Sequence, residues 1–78
     1  MTLALPHTVE LPARYYGRLA VAETARAFAE VAAVVVQAGD GALRLTFTRV
    51  EGDAGAVIAE FLNHALYASA VAGPEALR

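Results

Sequence analysis

The pattern of apolar and polar positions first predicts a β-hairpin in the middle of the chain. Residues 42–50, ALRLTFTRV, alternate between apolar and polar side chains, which is typical of a strand with one buried and one solvated face. Residues 33–37, AVVVQ, are rich in β-branched side chains and predict a second strand. Gly39-Asp40-Gly41 lies between them and tolerates the positive φ angles of a tight turn. The two runs and this turn therefore predict a hairpin.

A weaker alternation predicts one more strand near the start of the chain, over about residues 7–11. Val9 and Leu11 would face the core, and the residues between them would face outward. The flanking Pro6 and Pro12 cannot donate to a sheet ladder, so they indicate either an edge strand or a bulge. The solvated face of the whole sheet would then carry Thr8, Glu10, Arg44, Thr46 and Thr48.

Two longer stretches have the period of amphipathic helices. The first covers residues 19–32, LAVAETARAFAEVA, with its apolar side chains on one side and Glu23, Arg26 and Glu30 on the other. The charged side is typical of a solvated helix face. This stretch therefore predicts a helix that packs one side against the sheet.

The second helix is predicted from Asp53 to Ala72, DAGAVIAEFLNHALYASAVA. Asp53 is a natural N-cap, Gly73 fits the left-handed position after the helix, and Pro74 prevents continuation. The residues after Pro74 are expected to fray. The side predicted to face the core carries Ile58, Phe61, Leu62, Ala65, Leu66, Ser69 and Ala72.

The resulting order, β-α-β-β-α, predicts an α+β two-layer sandwich with both helices on one face of a small, antiparallel-containing sheet. At 78 residues the chain is one domain, 1–78, with an ordered core over about residues 7–72. A core of this size is marginal and usually needs disulfides, a metal or a partner surface. The chain has no cysteine, so we expect a homo-oligomer, most simply a dimer.

Composition disfavours several classes of chemistry. Without cysteine there is no thiolate ligand or thiol nucleophile, and without lysine there is no Schiff base and no phosphate-loop lysine. His7 and His64 are too few for a closed zinc site on one chain. The six basic residues are scattered in a chain of net charge −2, which disfavours nucleic-acid binding. We therefore expect no metal, no cofactor and no nucleic-acid partner.

The sequence also bears on localisation. The first residues, MTLALPHTVELP, lack the charged start and the long apolar run of a signal peptide. No apolar stretch approaches the roughly 18 residues of a membrane-spanning helix. The expectation is a cytoplasmic bacterial protein with no membrane partner.

A polar stripe on the closing helix, formed by Glu60, Asn63, His64 and Tyr67, is the main candidate site. As metal ligands, Glu60 and His64 would supply only half of a four-ligand coordination shell. A symmetric second copy would have to supply the other half. As a general acid–base pair, Glu60 and His64 lack a nucleophile and an oxyanion motif nearby. Tyr and Asn suit an interface better than plain solvent. We favour a partner-facing stripe over a solvated one, and no catalytic residue is assigned.

Three smaller features have structural and functional interpretations. Ser69 lies in the middle of the predicted core side, where a small side chain indicates close approach of another element and its hydroxyl can bond a carbonyl one turn earlier. Tyr15 and Tyr16 precede the first helix and would either seal the end of the core or form an exposed docking pair. His7, on the first strand, is expected at the surface.

The element order resembles that of the HxsD-type proteins of His-Xaa-Ser peptide systems. The resemblance is carried by Tyr16 to Ala22, YGRLAVA, in the first helix and by Phe61 to Leu66, FLNHAL, in the closing helix. That family has a Leu-Leu-Asn-x-x-x-Leu type motif in its closing helix. Leu62-Asn63 match it, whereas the spacing to the next leucine differs and Tyr67-Ala68 replace the family's following arginine.

This resemblance implies a small non-catalytic accessory, encoded beside a radical SAM enzyme that modifies ribosomal peptides. Its partner would be a protein or a peptide, and no catalytic residue carries over. The alternative is a small-metabolite-binding, ACT-like regulatory domain, because the element order is one strand short of βαββαβ. That alternative rests on fold-level analogy.

Overall fold

The predicted small α+β fold is confirmed by the computed structural model, which describes residues 3–72, without the side chain of Ala72. The element order is β1 (His7–Pro12), α1 (Arg18–Ala27), β2 (Ala32–Ala38), β3 (Ala42–Val50) and α2 (Ala54–Ala72). The strands form one antiparallel sheet in the order β1-β3-β2. The strand with the clearest alternation is therefore central, and the proline-flanked β1 is an edge, as expected.

The alternation on β3 decides which face of the sheet is buried. Leu43, Leu45 and Phe47 point into the core, and Leu11 of β1 joins them. The opposite face is solvated, as predicted. It carries a Thr8–Thr46 hydrogen bond of 3.2 Å and a Glu10–Arg44 ion pair of 2.8 Å. Both pairs lie directly opposite each other across β1 and β3.

The pairing of β2 with β3 contains one irregularity. Ala33 lies opposite Arg49 and Val34 lies opposite Phe47, so Thr48 is the extra residue of a bulge in β3. The Thr48 hydroxyl donates to the Ala33 carbonyl at 3.4 Å. Because the extra residue is on β3, β2 itself runs without interruption.

Both helices pack on the inner face of the sheet. Val21 of α1 and Phe61 of α2 are fully buried against the strand residues. Three aromatic rings link the layers edge to face, with 5.2 Å between the centroids of Phe28 and Phe61 and 5.2 Å between those of Phe47 and Phe61. Phe61 is therefore the central contact between α1, α2 and the sheet.

The predicted extent of the first helix, 19–32, was wrong at its end. The helix stops at Ala27, and the chain then turns through i→i−3 hydrogen bonds: Ala29 N–H donates to the Arg26 carbonyl at 3.2 Å and Val31 N–H to the Phe28 carbonyl at 2.9 Å. Ala32 belongs to β2, which begins one residue earlier than predicted. Residues 28, 31 and 32 are apolar and fit the helical period, but they do not belong to the helix. Phe28 and Val31 lie in the turn after α1, and Ala32 lies in β2.

The start of α2 agrees with its predicted N-cap. Asp53 Oδ1 accepts hydrogen bonds from the backbone N–H of Gly55 at 3.0 Å and of Ala56 at 3.4 Å. These are two of the donors that a helix leaves unpaired at its first turn. The predicted end signals at Gly73 and Pro74, and the tail after them, lie outside the described residues.

We expect Asp53→Ala to lower the free energy of unfolding by about 1 kcal/mol, because two first-turn N–H groups lose their acceptor. Asp53→Asn is the matched control, since an asparagine side-chain oxygen also caps. Urea unfolding followed by circular dichroism measures both. An equal loss in the two variants would show that the charge, and not the hydrogen bonds, stabilises the helix start.

Within residues 3–72, neither helix combines the length and the apolar character that a bilayer crossing requires.

Candidate functional site

The polar stripe predicted on the closing helix lies on the side of α2 that faces away from the sheet. Glu60, Asn63, His64 and Tyr67 are all exposed, and Tyr67 retains 72% of its accessible surface. Two apolar side chains join them, Leu66 and Val71. We call this surface the outer face of α2, formed by Glu60, Asn63, His64, Leu66, Tyr67 and Val71.

The placement of Leu66 corrects the predicted core side of the closing helix. Ile58, Phe61, Ala65 and Ser69 are buried as predicted, but Leu66 is 43% exposed. Residue 66 is about 100° around the helix from Ala65, which lies at the centre of the buried side. The two layers are too small to cover that flank, so Leu66 contributes to the outer face instead.

The outer face is unusual in its lack of charge. Among the 19 residues of α2, Glu60 is the one with a formal charge. The exposed residues of α1, by contrast, include Arg18, Glu23 and Arg26. Val71 is 68% exposed beside Tyr67. Uncharged polar and aromatic side chains next to exposed aliphatic ones are more typical of a contact surface than of a solvated helix face.

The structure does not bring Glu60 and His64 together as an acid–base pair. No hydrogen bond joins these two described side chains; the His64 ring instead packs edge to face on Phe28, with 5.8 Å between centroids. Within residues 3–72, no three His, Cys, Asp or Glu side chains are grouped as metal ligands would be. The stripe therefore presents separate polar groups around an aromatic and aliphatic surface.

Ser69 has the structural role that its position predicted, together with a contact that the sequence did not reveal. Its hydroxyl donates to the Ala65 carbonyl at 2.7 Å, one turn earlier. The same oxygen accepts the backbone N–H of Gly17 at 2.9 Å, at the start of α1. Gly17 is the N-cap of α1 and has no side chain to supply a cap. Ser69 thus ties the end of α2 to the start of α1.

The two tyrosines before α1 have different environments. Tyr16 packs against the core, as the sealing interpretation predicted. Tyr15 is exposed, and the Arg14 guanidinium lies 5.0 Å from its ring centroid. His7 is partly buried at the start of β1, opposite Phe47. Tyr15 precedes α1 in the chain and is not one of the residues that form the outer face of α2, so it offers a control position of the same residue type.

A depression of about 420 Å³ that the sequence did not indicate lies on the solvated sheet face near the hairpin turn. It is lined by Glu10, Gln37, Asp40 and Arg44 among others. Glu10 and Arg44 pair with each other there and are both more than half exposed. Exposed pairs of this kind contribute about 0–1 kcal/mol to stability.

Comparison with protein-family models, with curated proteins and with solved structures finds no match for this chain. The outer face of α2 is therefore the candidate site on the strength of its geometry and composition.

Proposed function

We propose that this chain is a non-catalytic binding protein that holds a protein or peptide partner on the outer face of α2. The observation that carries the proposal is the composition of that helix. It has one charged residue in 19, and yet one whole side of it faces away from the core. Covering this side with a partner removes apolar surface from water, which the small domain cannot do by itself.

The individual side chains suit such a contact. Tyr67 offers a large ring with a polar end, which is the type of residue that dominates binding energy at interfaces. Leu66 and Val71 flank it with aliphatic surface. Asn63 supplies a donor and an acceptor for orienting hydrogen bonds. The partner surface that fits is apolar at its centre and carries few charges.

The resemblance to HxsD-type proteins supports a narrower version of this proposal. Two residues match the family motif, Leu62 and Asn63. Asn63 lies on the outer face, and Leu62 is partly buried where that face meets the core. The partner would then be a radical SAM enzyme encoded beside this chain, or the ribosomal peptide that this enzyme modifies. The chain would assist the modification by holding one of them.

We expect Asn63→Ala/Tyr67→Ala to weaken partner binding by at least about 30-fold, the effect of losing roughly 2 kcal/mol at one binding hot spot. The measurement is a titration of the neighbouring radical SAM enzyme and, separately, of its labelled precursor peptide, followed by fluorescence anisotropy. Both altered side chains are exposed, so the unfolding transition should stay within about 0.5 kcal/mol of the unaltered protein.

Tyr15→Ala is the matched control, because it removes an exposed tyrosine that is not part of the outer face of α2 and should leave binding within about twofold. Equal binding by the double variant and the unaltered protein would show that the outer face is not the site. Absence of binding to both the enzyme and the peptide by the unaltered protein would refute the narrower version.

A further inference from the structure

β2 is an edge strand of the sheet, and it lacks the protective residues that the other edge strand, β1, carries. In residues 3–72, no strand pairs with β2 on the side away from β3. The other edge, β1, is preceded by Pro6, ends at Pro12 and carries the charged Glu10. Prolines and charges are the devices by which edge strands avoid pairing with other chains. The sequence of β2, AAVVVQA, has neither.

The backbone groups on the free side of β2 follow from the hairpin register. Gly39 N–H donates to the Ala42 carbonyl at 2.9 Å, which makes these two a hydrogen-bonded pair. Hydrogen-bonded and non-hydrogen-bonded pairs alternate along an antiparallel ladder. The N–H and C=O groups of Val34, Val36 and Ala38 therefore point away from β3. This row of unpaired donors and acceptors is complementary to another extended strand.

The side chains of β2 are also incompletely covered. Val34 and Val36 point toward the core layer and pack against it, but they remain only partly buried because the sheet stops beside them. Val35 points to the other face and is 50% exposed. One more strand next to β2 would cover all three valines.

We propose that β2 pairs with β2 of a second copy of this chain, antiparallel and about a two-fold axis at Val35. In this register Val34 lies opposite Val36 of the second copy, and their outward N–H and C=O groups bond each other in both directions. Val35 meets Val35 of the second copy in a non-hydrogen-bonded pair, where side chains approach to about 4.5–5.5 Å. Two three-stranded sheets thereby join into one six-stranded sheet.

Self-pairing fits β2 because the strand carries no charge. A two-fold axis places each residue near its own counterpart, so a charged edge repels itself. In this register the residues of one β2 that face the second β2 are all uncharged. Valine faces valine, Ala33 faces Gln37 and Ala32 faces Ala38. On β1, Glu10 would bring a charged side chain into the pairing, and the proline at the end of the strand would remove a donor. The chemistry therefore selects β2 as the edge that takes the second copy.

This dimer is independent of the proposed function. The outer face of α2 lies on the side of the helix layer away from the sheet, whereas β2 pairs at the sheet edge. The dimer would present two copies of the outer face. A single copy should still bind a partner, so the two proposals fail separately.

The decisive variant is Val35→Lys, and Thr8→Lys is its matched control. Both substitutions add one positive charge to an exposed position on the same sheet face, one on β2 and one on β1. In sedimentation equilibrium we expect the unaltered protein and Thr8→Lys at twice the 8.1 kDa mass of one chain. Val35→Lys should raise the dimer Kd by about 100-fold, because two ammonium groups meet across the axis. Its binding to the partner on α2 should be unchanged per chain.

Amide hydrogen exchange on the unaltered protein gives a second test that needs no variant. The amides of Val34, Val36 and Ala38 should gain protection as the protein concentration rises, because they are bonded only in the dimer. The amide of Gln37, which points toward β3, should be protected at every concentration. A mass of 8.1 kDa throughout the concentration range, with free exchange at Val36, would overturn the proposal. So would a dimer that Thr8→Lys dissociates and Val35→Lys leaves intact.

Discussion

Replacement of Phe61 by alanine is expected to lower the free energy of unfolding by about 3–5 kcal/mol. The Phe61 ring is fully buried and contacts the rings of Phe28 and Phe47 edge to face, each at 5.2 Å between centroids. Its removal deletes the contact that joins α1, α2 and the sheet, and leaves a cavity that the two remaining rings cannot both fill. A domain of this length has about 4–12 kcal/mol of stability in total. The variant should therefore lose a large fraction of its free energy of unfolding.

Urea unfolding followed by circular dichroism, at one fixed protein concentration, measures this loss. Fixed concentration matters because self-association would stabilise the folded state by mass action. Tyr67→Ala is the matched control, since it truncates an aromatic side chain six residues later on the same helix at an exposed position. Its effect should stay within about 0.5 kcal/mol. Similar losses for the two variants would mean that Phe61 does not have the central role in the core that its contacts indicate.

Replacement of Ser69 by alanine is expected to cost about 2 kcal/mol, more than the removal of one hydroxyl usually does. The Ser69 hydroxyl accepts the backbone N–H of Gly17 at 2.9 Å, in a partly buried position between the two helices. Alanine leaves that N–H without its acceptor where water has limited access. The penalty for an unpaired donor, and not the lost hydrogen bond alone, determines the size of the effect.

Thr24→Val is the matched control for Ser69→Ala. Thr24 is also buried on a helix and its hydroxyl donates to the Ala20 carbonyl at 2.8 Å, four residues earlier, as Ser69 does to Ala65. Its oxygen accepts no hydrogen bond from another segment, and the carbonyl that it contacts is also an acceptor in the helix ladder. Valine keeps the shape of threonine and leaves no donor unpaired, so the loss should be below about 1 kcal/mol. Thermal unfolding of the two variants compares them directly, and equal losses would show that the contact with Gly17 contributes nothing.

The secondary structure was predictable where local signals agreed. Strict alternation identified β3, glycine and aspartate marked the hairpin turn, and Asp53 marked the start of α2. The end of α1 was not predictable, because Phe28 and Val31 continue the apolar period past Ala27. Apolar side chains report that a position is buried in part, but they do not report whether a helix or a turn buries it.

The position of the candidate site was predictable from the sequence, but not all of its residues and contacts were. The helical period places Glu60, Asn63, His64 and Tyr67 on one side of α2, and the structure shows all four exposed. The exposure of Leu66 could not be read from the period, since an apolar residue beside the buried side fits either environment. The ring contact between His64 and Phe28 was equally hidden, because it depends on how α1 ends beside α2.

By itself the sequence determined the element order, the inward faces of β1 and β3, the cap of α2 and the low charge of its outer face. These properties depend on residues that are close in the chain, and local periodicity or turn chemistry encodes them. Only the tertiary structure decided that β3 is central, that Ser69 bonds Gly17 and that β2 is left as an unprotected edge. Each of these depends on which distant segments meet. That choice is made by the packing of the whole core around Phe61 and by the need to pair every buried backbone group.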